Sequence, residues 1–469
     1  MNRRLLTLII VVVVFGGLVG AYVLVTRPKP VKAAAALPKL IDVKEDTLVK
    51  ISLTDRAEGT LTLEKKGKAW AVDSSFPYTL DQSSVDDLSL TFTSLTADRV
   101  IDANPTDLAQ FGLKPPRAEG VATYADGSTR TLLLGDKTPT GNTYYLQVQG
   151  DPKVYAVWQN HGDQMHWTVS DLRDKQITPA INYDEVTFFH LTRADGTQIE
   201  LQEKTPDEAK QYQFGFGKYV MTRPYAIPRG VDADKGDQFI KGPQQIAISS
   251  FVSDAPRNLS QYGLARPQDD VVVRDKSNTI DYLIGGSDGK DKTYFMIRGS
   301  PSVYTTDTSS LSFLKTTAWD LADKFVFIPN IDDVDRMEIT SGGVTHTLTI
   351  TRVTKKAEKK DQQDTVTATY AVDGKNVEEG SFKAFYQQVV GTQAEGEVQK
   401  QVPPTPDVTV KFFMNKGPSK VVTIVYAPYN RDFDAIFMDG RSQFALTKLQ
   451  LNTMLTKLDE LAKGEKVTY

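Results

Sequence analysis

The string FGLKPP at Phe111–Pro116 returns as YGLARP at Tyr262–Pro267, 151 residues later, and what surrounds the two copies decides how the chain is built. LLLGD (Leu132–Asp136) is followed by YLIGG (Tyr282–Gly286), NTYYLQV (Asn142–Val148) by KTYFMIR (Lys292–Arg298), KVYAV (Lys153–Val157) by SVYTT (Ser302–Thr306), and DLRDK (Asp171–Lys175) by DLADK (Asp320–Lys324). Five ordered matches at offsets of 151, 150, 150, 149 and 149 describe a duplication. The aromatic-Gly-Leu motif has a structural explanation of its own. Gly112 permits a positive φ, Leu113 packs, and Pro115-Pro116 launches an extended segment. A binding role for the aromatic Phe111 or Tyr262 is the competing reading.

A third, divergent copy follows. Phe437-Met438 and Ser442-Gln443-Phe444 resemble Phe295-Met296 and Ser302-Val303-Tyr304, while GEVQKQVPPTP (Gly396–Pro406) replaces the Gly-Leu motif and reads as a proline-rich loop. The division is therefore an anchor and linker over 1–32, then repeats over 40–183, 184–328 and 329–469. Each repeat has one grammar. In the first, VKISLTD (49–55), TLTLEKK (60–66) and KAWAVDS (68–74) read as strands, and a helix opens at Asp81 with Val85, Leu88, Phe92 and Leu95 on one face. Further strands follow the Gly-Leu motif, with turns such as Asp126-Gly127, Asp195-Gly196 and Asp373-Gly374 marking hairpins. A short helix, such as Gln164–Leu172 or Ser309–Lys315, closes the unit. The expected fold class is α+β: three antiparallel, β-rich repeats with one or two helices each, behind an N-terminal transmembrane helix.

That last element rests on LLTLIIVVVVFGGLVGAYVLV, Leu5–Val25, which carries no charge. Its 21 residues give a helix of about 31 Å, matched to a hydrocarbon core of about 30 Å. A cleaved signal peptide has a shorter apolar region; cleavage at Ala33–Ala36 is the alternative. Arg3 and Arg4 on one side nearly balance Arg27, Lys29 and Lys32 on the other, and the short N-terminal tail favours export of the large domain. Gly16 and Gly20 stand in G-x-x-x-G spacing, which fits a helix–helix contact or glycines simply tolerated in the span. The chain has no cysteine, so a lipid-modified cysteine anchor, a cysteine nucleophile and disulfides are all excluded. Its net charge is −4, and because the first 32 residues are purely basic the remainder is more acidic still. That balance argues against nucleic acid, which needs a basic stripe.

The candidate chemistry is thin. His161 and His166 stand five apart with Asp163 between them, a poor spacing for two ligands on one helical face, while His190 and His346 are isolated in strands. DADKGD (Asp232–Asp237) looks faintly like a calcium loop, but its sixth position is Asp237 and its twelfth Pro243, so an acidic surface turn is expected. Asp332, Asp333 and Asp335 read the same way, in a linker before a strand. GFGK (Gly215–Lys218) lacks the length and terminal hydroxyl of a phosphate loop. Ser312 and Lys315 form an S-x-x-K with no supporting SDN or KTG. KKAEKKDQQD (Lys355–Asp364) reads as a solvated hairpin tip. No catalytic residue, cofactor site or metal ligand is assigned.

With the anchor, the Trp70…Pro77…Asp81 stretch before a helix, the YGL-x-P motif, the Leu-x-Ile-Gly strand and the closing DL-x-DK, the chain resembles the bacterial domain-of-unknown-function family 4340, well over the first two repeats and weakly over the third. The resemblance implies a membrane helix, a repeated ectodomain and an association with gliding-motility-type ABC transporters, and it supplies no catalytic residues. The expected role is a non-enzymatic, membrane-anchored extracytoplasmic accessory or scaffold of an ABC-type transport complex, with a permease as partner. An envelope binding module for glycan, lipid or peptide is the alternative, and a cryptic hydrolase a third.

Overall fold

The structure is a computed structural model and describes residues 37–72, 78–176, 179–356, 365–438 and 440–468. It holds three antiparallel sheets of eight, nine and nine strands. Contacts divide the chain into two compact bodies, Met1–Asp174 with the first sheet and Lys175–Tyr469 with the other two. Leu5–Val25 lies outside the described residues, among which no helix is long and apolar enough to cross a membrane.

The first sheet comprises β1 (Leu48–Asp55), β2 (Gly59–Lys66), β3 (Ala69–Val72), β4 (Arg99–Asp102), β5 (Ala118–Tyr124), β6 (Thr129–Lys137), β7 (Thr143–Val148) and β8 (Val154–Trp158). Their spatial order is β3-β2-β1-β5-β6-β7-β8-β4. Strict alternation drives it: in β5, AEGVATY buries every second residue. Helix α1 (Gln82–Thr93) begins where the Asp81 carboxylate accepts from the Ser83 backbone N–H at 3.1 Å, as a helix cap should. It lays Val85, Leu88 and Phe92 on Ile51, Leu53, Leu132 and Leu134. Phe92 needs a notch, and Gly120 supplies it, since a Cβ there would come within 2.6 Å of the ring. Burying a phenylalanine in this way contributes about 1.5–3 kcal/mol. The closing helix α2 spans Gln159–Gln164, earlier than the expected Gln164–Leu172. Gly162 lets it approach the Tyr144 ring, where a Cβ would sit at 2.1 Å, and Thr168 then turns the chain by bonding Asp171 through both its N–H and its hydroxyl.

The second sheet comprises β9 (Phe188–Arg193), β10 (Gln198–Glu203), β11 (Tyr219–Arg223), β12 (Arg229–Gly230), β13 (Ser250–Ser253), β14 (Asp269–Arg274), β15 (Thr279–Ser287), β16 (Lys292–Ile297) and β17 (Val303–Asp307). Helix α3 (Ala233–Ile240) precedes β13, and a 3₁₀ turn (Thr308–Lys315) and α4 (Ala318–Leu321) close the repeat. The third sheet comprises β18 (Val334–Ser341), β19 (Val344–Lys355), β20 (Thr365–Val372), β21 (Lys375–Asn376), β22 (Gly396–Glu397), β23 (Val408–Met414), β24 (Val421–Pro428), β25 (Phe433–Met438) and β26 (Arg441–Thr447), with α5 (Glu379–Val390) before β22 and α6 (Lys448–Ala462) at the end. Apart from a two-residue strand added at one edge, both sheets repeat the strand order of the first. The third repeat thus keeps the fold although its motif is gone.

Strand register refines the alignment of the copies. Leu134 pairs with Leu146 and Ile284 with Phe295, so Tyr145 corresponds to Tyr294, one residue away from the match of the strings. The same pairing in the third sheet sets Ile436, not Phe437, opposite Phe295 in the comparison. The cause is a connection one residue shorter before β16, which leaves TYY and TYF in deceptive agreement.

The Gly-Leu motif and the strand that holds Leu134-Gly135 or Ile284-Gly285 form one contact. Gly112 and Gly263 adopt φ +66° and +69°, ending a 3₁₀ turn in each repeat. That turn carries the Phe111 carbonyl onto Gly135 and the Tyr262 carbonyl onto Gly285, where a Cβ would lie 2.1 and 2.2 Å away. Phe111–Tyr145 and Tyr262–Tyr294 then meet edge to face at 5.1 Å in both copies. In the third repeat the matching position is Ala427, buried with Ala435 and Phe437 beneath Val398 and Val402 from the proline-rich loop.

Candidate functional site

The ends of β1 and α2 frame an open cleft of about 780 Å³, lined by Asp55, Arg56, Ala57, Glu58, Arg117, His166, Thr168 and Asp171. Asp55 is the last residue of β1, and its carboxylate accepts from His166 Nδ1 and from the backbone N–H groups of Ala57 and Glu58, at 2.6 and 2.9 Å. Burial pushes the Asp55 carboxyl up, but those bonds outweigh it and hold it below its ordinary value. An imidazole oriented by a carboxylate at the mouth of a cleft is the geometry of a general acid or base. Two of its neighbours are committed elsewhere: Thr168 donates to Asp171, and Arg117 pairs with Asp136.

The sequence candidates near it face apart. His161 Nδ1 bonds Thr91 Oγ1 at 2.8 Å, and because that hydroxyl donates to Gln164 Oε1, the imidazole is the donor. Burial pushes His161 below its ordinary value, so it is neutral. Asp163 accepts from Tyr144 Oη at 2.6 Å and Gln159 Nε2 at 2.9 Å, with Lys137 Nζ at 3.5 Å. Burial and then the Asp163 bond push the Tyr144 hydroxyl far up. The Tyr144 ring lies 6.0 Å from that of His166. A line of side chains from Lys137 through Asp163 and Tyr144 to His166 and Asp55 therefore braces α2 on the sheet.

In the second repeat the position of Asp55 is Arg193, by the shared register of β1 with β5 and of β9 with β14. Arg193 also grips the closing segment, donating to the carbonyls of Leu314 and Thr316. The same contact thus exists twice with different chemistry, which makes bracing the common property and the imidazole a local variant.

Most of the remaining candidates are likewise engaged. DADKGD is not a surface turn: Asp232 caps α3 by accepting from Lys235 N–H at 3.0 Å, and Asp237 pairs with Lys241 just past the end of that helix. Asp333 accepts from Tyr212 Oη and pairs with Lys416, while Asp335 pairs with Arg352. GFGK is a packing element, since a Cβ on Gly215 would meet Asp323 at 1.7 Å and one on Gly217 would meet the Val231 carbonyl at 2.0 Å. Ser312 opens onto a cleft shared with Lys235 and Lys241, and Lys315 is not among its lining residues. His190 contacts Glu200 at 3.3 Å, and His346 contacts Asp373 at 2.7 Å. Most of Lys355–Asp364 lies outside the described residues. No group of three metal-ligating side chains forms among the described residues.

The joint between the second and third sheets is carried by residues that no motif marks out. The segment between β10 and β11 carries Tyr212, whose ring meets Phe327 at 6.3 Å. Tyr225 Oη donates to Glu397 at 2.7 Å, and Gln443 exchanges two bonds with the Ile227 backbone, at 2.7 and 2.9 Å. Arg229 is buried, donates to the carbonyls of Asp323 and Phe325, and lies 5.1 Å from the Phe444 ring. Lys324, over the Trp319 ring at 3.5 Å, is pushed down to about 8 by burial and by nearby cations. The cavity here is about 40 Å³, water-sized and far below the several hundred Å³ of a small-molecule site. The signal that could have found this joint is length: 15 residues separate β10 from β11, against two between β2 and β3.

The profile of one family, a domain of unknown function (DUF4340), matches the chain twice, over residues 70–241 and 219–407. The matches begin at Trp70 and Tyr219, which occupy the same place in β3 and β11 by strand register. Among curated proteins no match is found. Two matches that start at equivalent strands and together span 70–407 follow the repeat seen in the sheets, and the chain belongs to the DUF4340 family.

Proposed function

We propose that this protein is a membrane-anchored, extracytoplasmic scaffold that serves as an accessory component of an ABC-type transport complex. The anchor is the uncharged run Leu5–Val25, and the transporter partner comes from the family resemblance. The observation that carries a scaffolding role is the use made of charged side chains. Asp55, Asp163, His166, Arg193, Asp333 and Arg229 each tie one element to another. Repeated units of this kind offer extended contact surface, and a tether to the bilayer raises the effective concentration toward partners in the same membrane.

The test is purification of the full chain in mild detergent. A permease and an ATPase should accompany it, and deleting residues 1–32 should abolish that association while the ectodomain stays folded. Substituting His161, Asp237 or Ser312 should leave function intact; loss of function in a stably folded variant of one of these would overturn the reading. A second reading, an envelope binding module, is favoured by the open polar cleft around His166. Saturable binding of a glycan or peptide that His166→Ala removes would establish it instead.

A further inference from the structure

The strand β20 is an unprotected edge. The equivalent strands of the other repeats are short: β3 has four residues, and β11 has five. In the third repeat β19 runs twelve residues and β20 eight. Beyond Thr349, β19 pairs with β20 alone, and β21 covers β20 only at Ala371 and Val372. Thr351–Lys355 and Thr365–Thr369 therefore form a two-stranded ribbon, with Val353 and Val366 65 % and 57 % exposed. A ribbon of two strands is marginal by itself in water and gains from a third. Natural edges are blunted by lysine, proline or a bulge. TVTATYAV has no charge and no proline, and its pairing with β19 is unbroken from Leu348 to Lys355.

The direction of its backbone is fixed by one bond. Tyr370 O accepts from Val377 N–H on the outer side, so by the two-residue alternation Val366 and Ala368 also present their N–H and C=O outward. Among the described residues those four groups have no backbone partner.

We propose that this edge pairs with the same edge of a second copy, antiparallel about a two-fold axis through Thr367. In that register Val366 faces Ala368 of the second copy, and Ala368 faces its Val366. All four outward groups bond, and Thr365 meets Thr369 on the shared face. The strand is self-complementary because like residues meet like and no charge opposes its twin. A four-stranded sheet replaces two bare ribbons.

Because the chain has no cysteine, a single introduced one reports this register cleanly. On the two-fold axis, two copies of residue 367 form a non-hydrogen-bonded pair whose Cα separation of about 4.5 Å suits a disulfide. Full-length Thr367→Cys in mild detergent should shift to twice its mass on gentle oxidation. Thr365→Cys should cross-link with Thr369→Cys but not with itself. Adding Val366→Lys, at an exposed site that leaves folding unaffected, should abolish the shift by placing like charges across the axis, as should Ala368→Pro by removing an outward N–H. A Thr367→Cys chain that stays monomeric, or one whose cross-linking survives both added substitutions, overturns the proposal. So does a mass shift that appears only when a different protein is bound to the edge.

Discussion

The carbonyl oxygen of Phe111 occupies the space that a Cβ on Gly135 would need, 2.1 Å from where that atom would stand. The turn has little room to shift, because a Cβ on Gly112 would already meet Asp136 at 2.6 Å. Gly135→Ala should therefore destabilise the first compact body by about 1–3 kcal/mol. Gly285→Ala should do the same in the second, where the Tyr262 carbonyl is 2.2 Å away. Urea titrations of each variant measure the cost, and an unchanged midpoint for both would refute the shared contact.

The bond between Asp55 and His166 makes the first repeat sensitive to acid. The Asp55 carboxyl is held below its ordinary value of 3.8, so its contribution is present above that value and is lost as the pH falls through the lowered one. Asp55→Asn should cost about 1.5–3 kcal/mol at neutral pH, as for a bond to a charged group. The gap in melting temperature between the wild type and Asp55→Asn should close as the pH drops below 3.8. A gap that persists in strong acid would show that the carboxylate charge is not what braces α2.

The opposite sign is expected at Asp270. It lies diagonally across β14 and β15 from Asp281, and Arg298 reaches both. Burial and then the Asp281 charge push Asp270 above its ordinary value, so the folded protein gains stability as the pH falls toward 3.8 and lacks that gain at neutral pH. Asp270→Asn should raise the melting temperature at pH 7, by relief of a like-charge pair worth about 0.2–1 kcal/mol. A lower melting temperature at pH 7 would mean that Arg298 fully compensates both carboxylates.

The sheets were legible because their residues alternate and because five strings recur; period and repetition are properties of sequence itself. Their register was not, since TYY and TYF align equally well with or without the missing residue before β16. Asp232 misled because aspartate serves both turns and helix caps, and only the chain beyond Asp237 distinguishes them. The third repeat hid its kinship by exchanging a glycine turn for Val398 and Val402. Asp55 and His166 are 111 residues apart, and no local spacing connects them until β1 and the segment after α2 are brought side by side. Arg229 and Gln443 are likewise far apart in the chain, and only the length of the β10–β11 connection hints at their joint.

The glycine–carbonyl contact also constrains history. A side chain at residue 135 clashes while the turn remains, and a turn without the glycine beneath it has nowhere to sit. Neither half can change first without loss, so lineages that keep both are held together. In the third repeat both halves are absent together: Ala427 stands in the glycine's place, and Val398 and Val402 pack on it instead of the turn. The turn and the glycine are therefore kept or given up as a pair within this one chain.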